Sequence, residues 1–168
     1  PESRKSEGLI TAFSIRENIS LNNLPKYQNA SGLIDKAKEC ASVDALMRQL
    51  SIKAPSGESL VVNLSGGNQQ KVVIARWLYR DCPVMLFDEP TRGIDIGAKF
   101  DIYQVLAEQA RQGKGLVIVS SDLRELMLIC DRIAVMSAGS IVDTFERGAW
   151  SQDALLSAAF SGYLTPHS

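Results

Sequence analysis

The chain has 168 residues, 45% of them hydrophobic, with 18 basic and 19 acidic side chains and a formal net charge of -1 at pH 7. That length can bury one substantial core, so one domain is the default expectation, and near-balanced charge without a terminal block of like sign argues against a nucleic-acid surface or a polybasic membrane anchor. No apolar stretch approaches the ~20 residues that a membrane-crossing helix needs, and no basic-then-apolar leader is seen, so any membrane link is expected to run through a partner.

Residues 1–80 read as mainly helical and residues 83–145 as α/β. Residues 22–31, with several Asn and Pro25, are expected to form a loop. Residues 33–50 place Leu33, Ala37, Cys40, Ala41, Leu46 and Leu50 at helical spacing opposite a polar face. A second loop is expected over 53–58, around Pro55 and Gly57. Ser65 or a near neighbour opens a helix with Val72, Val73, Ala75 and Leu78 on its apolar positions. Residues 84–87 and 116–119 are continuous apolar runs, as expected of strands in a parallel sheet covered on both faces. Between them Phe100, Tyr103, Leu106, Ala107 and Ala110 mark a crossover helix closed by Gly113, a strand-helix-strand unit. A helix over 123–129, strands over 132–136 and 141–145 joined by a turn at Ser137-Ala138-Gly139, and an amphipathic helix over 149–160 complete the chain. Cys40, Cys82 and Cys130 show neither metal-ligand nor disulfide spacing and read as small buried hydrophobes in a reducing compartment. His167, beside Pro166, reads as a frayed tail.

Two motifs carry the chemistry. In Leu64-Ser65-Gly66-Gly67-Asn68-Gln69-Gln70-Lys71 a pair of glycines bares the backbone where a helix begins. First-turn amides lack intrahelical partners and the helix dipole is positive there, so such a start favours an anion. About twenty residues on, Val84-Met85-Leu86-Phe87-Asp88-Glu89-Pro90 ends an apolar strand in two carboxylates, with Asp88 suited to a phosphate-bound Mg²⁺ and Glu89 to orienting or deprotonating a water. Either run alone is also an ordinary turn or helix cap; their order and spacing together point to nucleotide phosphates. A P-loop is missing: the one Gly-Lys pair, Gly113-Lys114, is followed by Gly115 instead of a hydroxyl residue, and Glu108 stands where the earlier glycine is needed. Because the chain starts at Pro1, an excised, processed or partial chain with a P-loop upstream is expected.

These residues resemble the signature and Walker B motifs of ABC-transporter ATPases. Asn68 to Lys71 after the Ser-Gly-Gly, the run from Asp88 to Lys99, the opening Pro1-Glu2-Ser3-Arg4-Lys5 and Ser120-Ser121-Asp122-Leu123 are similar to the second nucleotide-binding domain of bacterial monosaccharide importers of the ribose and galactose type. The resemblance spans nearly the whole chain and is less specific for the sugar. It implies a partial P-loop NTPase fold of the ABC ATPase type, α/β with a helical subdomain and the central P-loop strand missing. That strand would lie between the strands at 116–119 and 132–136, leaving a gap or a non-native pairing there. It implies further a helical subdomain and signature helix over about 17–80, an α/β core remnant over 83–145 and a C-terminal helix over 149–163.

By the resemblance, Ser65, Gly66, Gly67, Asn68 and Gln69 contact ATP held by the P-loop of a second nucleotide-binding domain. Asp88 serves Mg²⁺ and Glu89 the attacking water at the chain's own nucleotide, and Asp95 belongs to a loop at the dimer interface, with a helix cap as the plain alternative. Two departures point to a degenerate site of its own: Ser121 stands where most of the family has a γ-phosphate-sensing histidine, and the nucleotide-sensing glutamine near Pro1-Glu2 is not seen. The implied protein is part of the ATP-binding subunit of a sugar importer, peripheral on the cytoplasmic face of the bacterial inner membrane. Its partners would be membrane permease subunits, contacted through about 17–64, and indirectly a periplasmic sugar-binding protein, with no nucleic acid. The parent is expected to hydrolyse ATP and the isolated chain to be inactive. The alternative is a non-catalytic truncated module that pairs with an intact ATPase and only donates Ser65 to Gly67.

Overall fold

The computed structural model describes residues 8–164. The opening Pro1-Glu2-Ser3-Arg4-Lys5 and His167 lie outside them. The chain divides into two compact units, one running to Val117 and the other from Ile118, so the division falls inside strand β2 (Gly115–Val119).

The first unit opens on a short helix, α1 (Ile15–Ser20), set by a capping box: Ser14 Oγ accepts from the Glu17 amide, and Glu17 Oε2 accepts from the Ser14 amide at 2.8 Å. Residues Leu21–Tyr27, expected as loop, are 3-10 helical with a break at Asn23. Tertiary anchoring overrides the turn-like composition there. Tyr27 is fully buried and its ring stacks on Tyr79 at a centroid distance of 5.4 Å, while Asn23 Nδ2 donates to the Tyr79 carbonyl at 3.2 Å.

Helix α2 (Lys36–Gln49) starts at Asp35, whose side chain accepts from the Lys38 amide, and it buries Val43 and Met47. Leu33 and Ile34 remain outside it and exposed. Helix α3 (Gly66–Leu78) is the centre of the unit, with Val72, Val73, Ile74, Ala75 and Leu78 buried. Its Arg76 is buried too: Nε donates to the Asn18 carbonyl at 2.7 Å and Nη2 to Asn18 Oδ1 at 2.8 Å. Burial pushes the guanidinium pKa down, yet an arginine keeps its charge, and these bonds compensate the lost water.

Strand β1 (Val84–Asp88) turns Met85 and Phe87 inward, and α4 (Ile96–Arg111) buries Ile102, Val105 and Leu106. β1 and β2 pair as a two-stranded sheet. The expectation that both faces are covered fails: Val84 and Leu86 are 56% and 77% exposed, Val117 and Val119 50% and 57%. No element among the described residues covers that face.

The second unit is a hairpin with helices. Strands β3 (Arg132–Ser137) and β4 (Ser140–Glu146) run antiparallel from Arg132 opposite Glu146 to Ser137 opposite Ser140, with an irregularity between Val135 and Met136. Ala138 and Gly139 both take positive φ, the geometry of a tight two-residue hairpin turn. Ile133, Val135 and the fully buried Leu155 of α6 (Gln152–Leu164) form its core with Leu126, Cys130, Phe145 and Trp150 around them. Gly162 permits close packing, since a Cβ there would lie 3.0 Å from Ser137 Oγ and from Ala138 Cβ. Helix α5 (Leu123–Ile129) is capped by Asp122. The three cysteines are free and half-buried, not fully buried as expected. β3 and β4 form their own sheet, separate from β1 and β2, and no third strand joins β2 to β3 among the described residues.

Candidate nucleotide site

Ser65 holds extended backbone as the N-cap of α3, and its Oγ accepts from the Asn68 amide at 3.5 Å and from Asn68 Nδ2 at 3.0 Å. Both lone pairs are thereby engaged, so the hydroxyl proton is left to donate outward. Ser65 and Gly66 are exposed at this helix start. Asn68 Oδ1 accepts from the Lys53 amide at 2.9 Å. Gln69 lies beneath, 5% exposed, its Nε2 donating to the Val61 carbonyl at 3.2 Å. Of the residues expected at the nucleotide, then, Ser65 and Gly66 face outward, Asn68 shapes the turn, and Gln69 supports it from inside.

Gly67 is buried where α3 meets α4. A Cβ on it would lie 2.9 Å from Ala98 Cβ and 3.3 Å from Asp95 Oδ2, so only glycine allows the two helix starts to approach this closely. Asp95 is the N-cap of α4, its Oδ1 accepting from the Ala98 amide at 2.9 Å. The cap expected as the plain alternative is therefore real, and it sets this carboxylate beside the start of α3.

β1 delivers the two acidic residues. Asp88 is exposed at the strand end, and Glu89 follows with φ +46°, directly before Pro90. A non-glycine residue held in that region stores ~1–3 kcal/mol of strain, a feature that gathers at functional sites. Ser121 lies in the second unit, exposed, lining an open depression with Asp122, Leu123, Arg124 and Gln152. Beside it Ser120 Oγ donates to the buried Glu125 carboxylate at 2.6 Å.

The donor set fits a nucleotide phosphate. A hydroxyl and a helix start suit phosphate oxygens, and Asp88 suits Mg²⁺, which takes one or two carboxylates and otherwise keeps phosphate and water ligands. Among the described residues no group of three or more acidic, histidine or cysteine side chains gathers to hold a metal by itself. The sequence reading quoted Lys71 only as part of its motif run and missed Asp101, Asn18 and Arg76. The bonds of Lys71 to Ser51 and Asp101 and of Arg76 to Asn18 span 20 to 58 residues of chain, and only the odd presence of Lys71 and Arg76 on the buried side of a helix could have drawn notice.

The fold is that of an ATP-binding cassette. It superposes on a dimeric ATP-binding cassette in a post-hydrolysis state bound to ADP and Pi with a TM-score of 0.72 at 24% identity, over 87% of this chain and 62% of that one. A dimeric bacterial ABC transporter cassette gives the same TM-score at 25% identity. Residues 3–92 match the family model described as ABC transporter, and the chain belongs to that family, with a partial P-loop NTPase fold. It is 51% identical over 162 residues to the ribose import ATP-binding protein RbsA of Hahella chejuensis and 50% identical to RbsA 2 of Burkholderia ambifaria, over 96% of this chain and 32% of each relative. The corresponding protein of Clostridium tetani is 46% identical over 158 residues. The chain thus spans about a third of the length of the curated relatives it matches. Membership of this family implies nucleotide binding.

Proposed function

We propose that this chain is part of the ATP-binding subunit of an ABC importer for a sugar, with the start of α3 acting on ATP held by a second nucleotide-binding domain. The observation that carries this reading is Ser65, an exposed N-cap whose oxygen is engaged by Asn68 and whose proton is free to donate. The names of the relatives, ribose import ATP-binding proteins, support the importer and the sugar class. Dimeric cassettes among the solved structures support pairing of two such domains.

Bound ATP with Mg²⁺ supplies the phosphoanhydride whose hydrolysis drives uptake. Ser65, at the exposed start of α3, would bind and orient the terminal phosphate, with Gly66 beside it, Gly67 letting that start pack close to α4, and the positive end of the helix dipole behind them. Asn68 fixes the Ser65 rotamer, and Gln69 braces the turn against Val61. At the chain's own nucleotide Asp88 would hold Mg²⁺, and Glu89 would orient a water and accept its proton. Ser121 stands where most of the family has a histidine, and a serine contacts phosphate more weakly than an imidazolium. Asp95 carries the dimer interface next to Gly67. The helical segment over 17–64 meets permease subunits at the cytoplasmic face of the inner membrane, and a periplasmic sugar-binding protein is an indirect partner on the other side. No helix among the described residues is long and apolar enough to cross a membrane itself.

The test is ATP-driven uptake of labelled ribose into vesicles holding the full-length protein that carries this chain, its permease and its binding protein. Ser65→Ala is expected to abolish uptake while lowering stability by no more than the ~1 kcal/mol that one lost helix cap costs. Undiminished uptake by that variant overturns the reading.

A further inference from the structure

Three side chains in the run after Ser65 each grip a different segment. Asn68 holds the Lys53 amide and Gln69 the Val61 carbonyl, as described above. Lys71 does more: its Nζ donates to the Ser51 carbonyl at 3.1 Å and pairs with Asp101 Oδ2 at 2.6 Å. The Lys71 side chain is only 3% exposed, whereas that of Asp101 is 38% exposed. Removing an ammonium from water is expensive, and an apolar side chain of similar volume commonly fills such a position at no loss of stability. A charge kept there has a geometric use.

Two of the three elements that meet at this ammonium, α3 and α4, frame the candidate site. Lys71 lies on α3, which begins at Ser65; Asp101 lies on α4, which begins at Asp95; and Ser51 follows the end of α2 with φ +50°. The starts of α3 and α4 are already in contact through Gly67, Ala98 and Asp95. A bond between the helices further along stops them pivoting about that contact. The bond to the Ser51 carbonyl adds the end of α2, so a displacement of that helix reaches α3 through one side chain.

We propose that Lys71 is a positioning residue for the nucleotide site, fixing Ser65 relative to Asp95 and to the end of α2 through its bonds to Asp101 and Ser51. This rests on the reading of Ser65 as the phosphate contact. Lys71 touches no nucleotide in this account; it acts by keeping the donors of α3 where the phosphate needs them. Misplacing such a donor by ~1 Å costs up to ~100-fold in rate.

The experiment measures kcat and KM for ATP, together with thermal melting, in the full-length protein and in the variants Lys71→Met, Lys71→Arg, Asp101→Asn, Lys71→Met with Asp101→Asn, and Ser65→Ala. Lys71→Met is expected to lower kcat by ~10–100-fold with KM changed by less than ~2-fold, because a transition-state contact is lost while nucleotide binding elsewhere is retained. Asp101→Asn acts in the same direction and less strongly. The double variant is no worse than Lys71→Met, since both substitutions break one pair. Lys71→Arg keeps the charge and recovers most of the rate. If Lys71→Met does not fold, Asp101→Asn, whose side chain is partly in water, decides the matter.

Normal kcat in Asp101→Asn, or additive losses in the double variant, or failure of Lys71→Arg to restore the rate, overturns the proposal. The Ser65→Ala control separates the two claims. If it leaves turnover intact, the reading of the site itself is wrong; if it stops turnover while Lys71→Met melts lower but turns over normally, only the positioning role is lost.

Discussion

Glu89 combines two chemical demands at one residue, a carboxylate for water and a left-handed backbone that a side chain resists. Replacing it with glycine removes both, so Glu89→Gly is expected to raise the thermal midpoint, equivalent to about 1 kcal/mol, while eliminating any base function. Equal or lower melting of that variant in a scan beside the parent would show that relief of strain does not outweigh the interactions Glu89 makes and the chain entropy glycine adds. Under the proposed function Ser65 and Glu89 also serve different nucleotides. Ser65→Ala is expected to reduce ATPase activity of the full-length protein more than Glu89→Gln, since Ser65 completes the opposite site and Glu89 the degenerate one. A base in use is worth ~10²–10⁴-fold, so abolished turnover in Glu89→Gln with normal turnover in Ser65→Ala reverses this assignment. Ser65, Gly67, Asp88, Glu89 and Asp95 could be named as candidates from the sequence because motif spacing is local information. What Gly67 is for was not: its neighbours Ala98 and Asp95 lie on another helix, and nothing in its own flanks reports them.

Helix starts and ends were read well where the signal is chemical. Ser65 caps α3, α5 spans the residues expected, and Gly113 follows α4 with φ +86°. The box Ser14-Ile15-Arg16-Glu17 was equally readable and passed over, because α1 is too short to show periodicity. The segment Leu21–Tyr27 was beyond local reading, since the stacking of Tyr27 on Tyr79 decides it. The capped start of α1 has a pH signature. The Ser14 amide and hydroxyl hold the Glu17 carboxyl below its ordinary value of 4.5, and the Arg16 guanidinium does the same for Glu58. Groups depressed in the folded state add stability above the ordinary glutamate value and lose it as pH falls toward their lowered values. Melting temperature is therefore expected to hold steady from pH 7 to about 5 and to drop below that. Glu17→Gln keeps the box and should flatten part of the drop; an unchanged profile in Glu17→Gln and Glu58→Gln together would remove both groups from the account. Elsewhere, Leu155→Ala in α6 empties the centre of the second unit's core and is expected to cost ~2–5 kcal/mol in denaturant unfolding.

For the whole molecule, the isolated chain of 168 residues holds Asp88, Glu89 and one helix start but no P-loop motif. If each charge-assisted contact of such a loop contributes ~1.5 kcal/mol, the lack of four weakens ATP binding by roughly 6 kcal/mol, more than ten-thousandfold. Calorimetric titration of the isolated chain with Mg-ATP is expected to give no saturation in the micromolar range, and a micromolar dissociation constant would reveal an overlooked phosphate site. Composition gave the core its size but not its coverage: the apolar runs at β1 and β2 read as doubly covered strands, and pattern alone cannot say whether a second layer is there. The bare face made by Val84, Leu86, Val117 and Val119 bears on how this chain would behave at the bench. A fluorescent dye such as ANS, whose brightening is ordinarily taken as the mark of a molten state, should light up on it while Trp150, packed beside Leu155, still gives a sharp near-ultraviolet circular dichroism signal. A well-ordered chain would then score as a collapsed intermediate to anyone who used the dye alone.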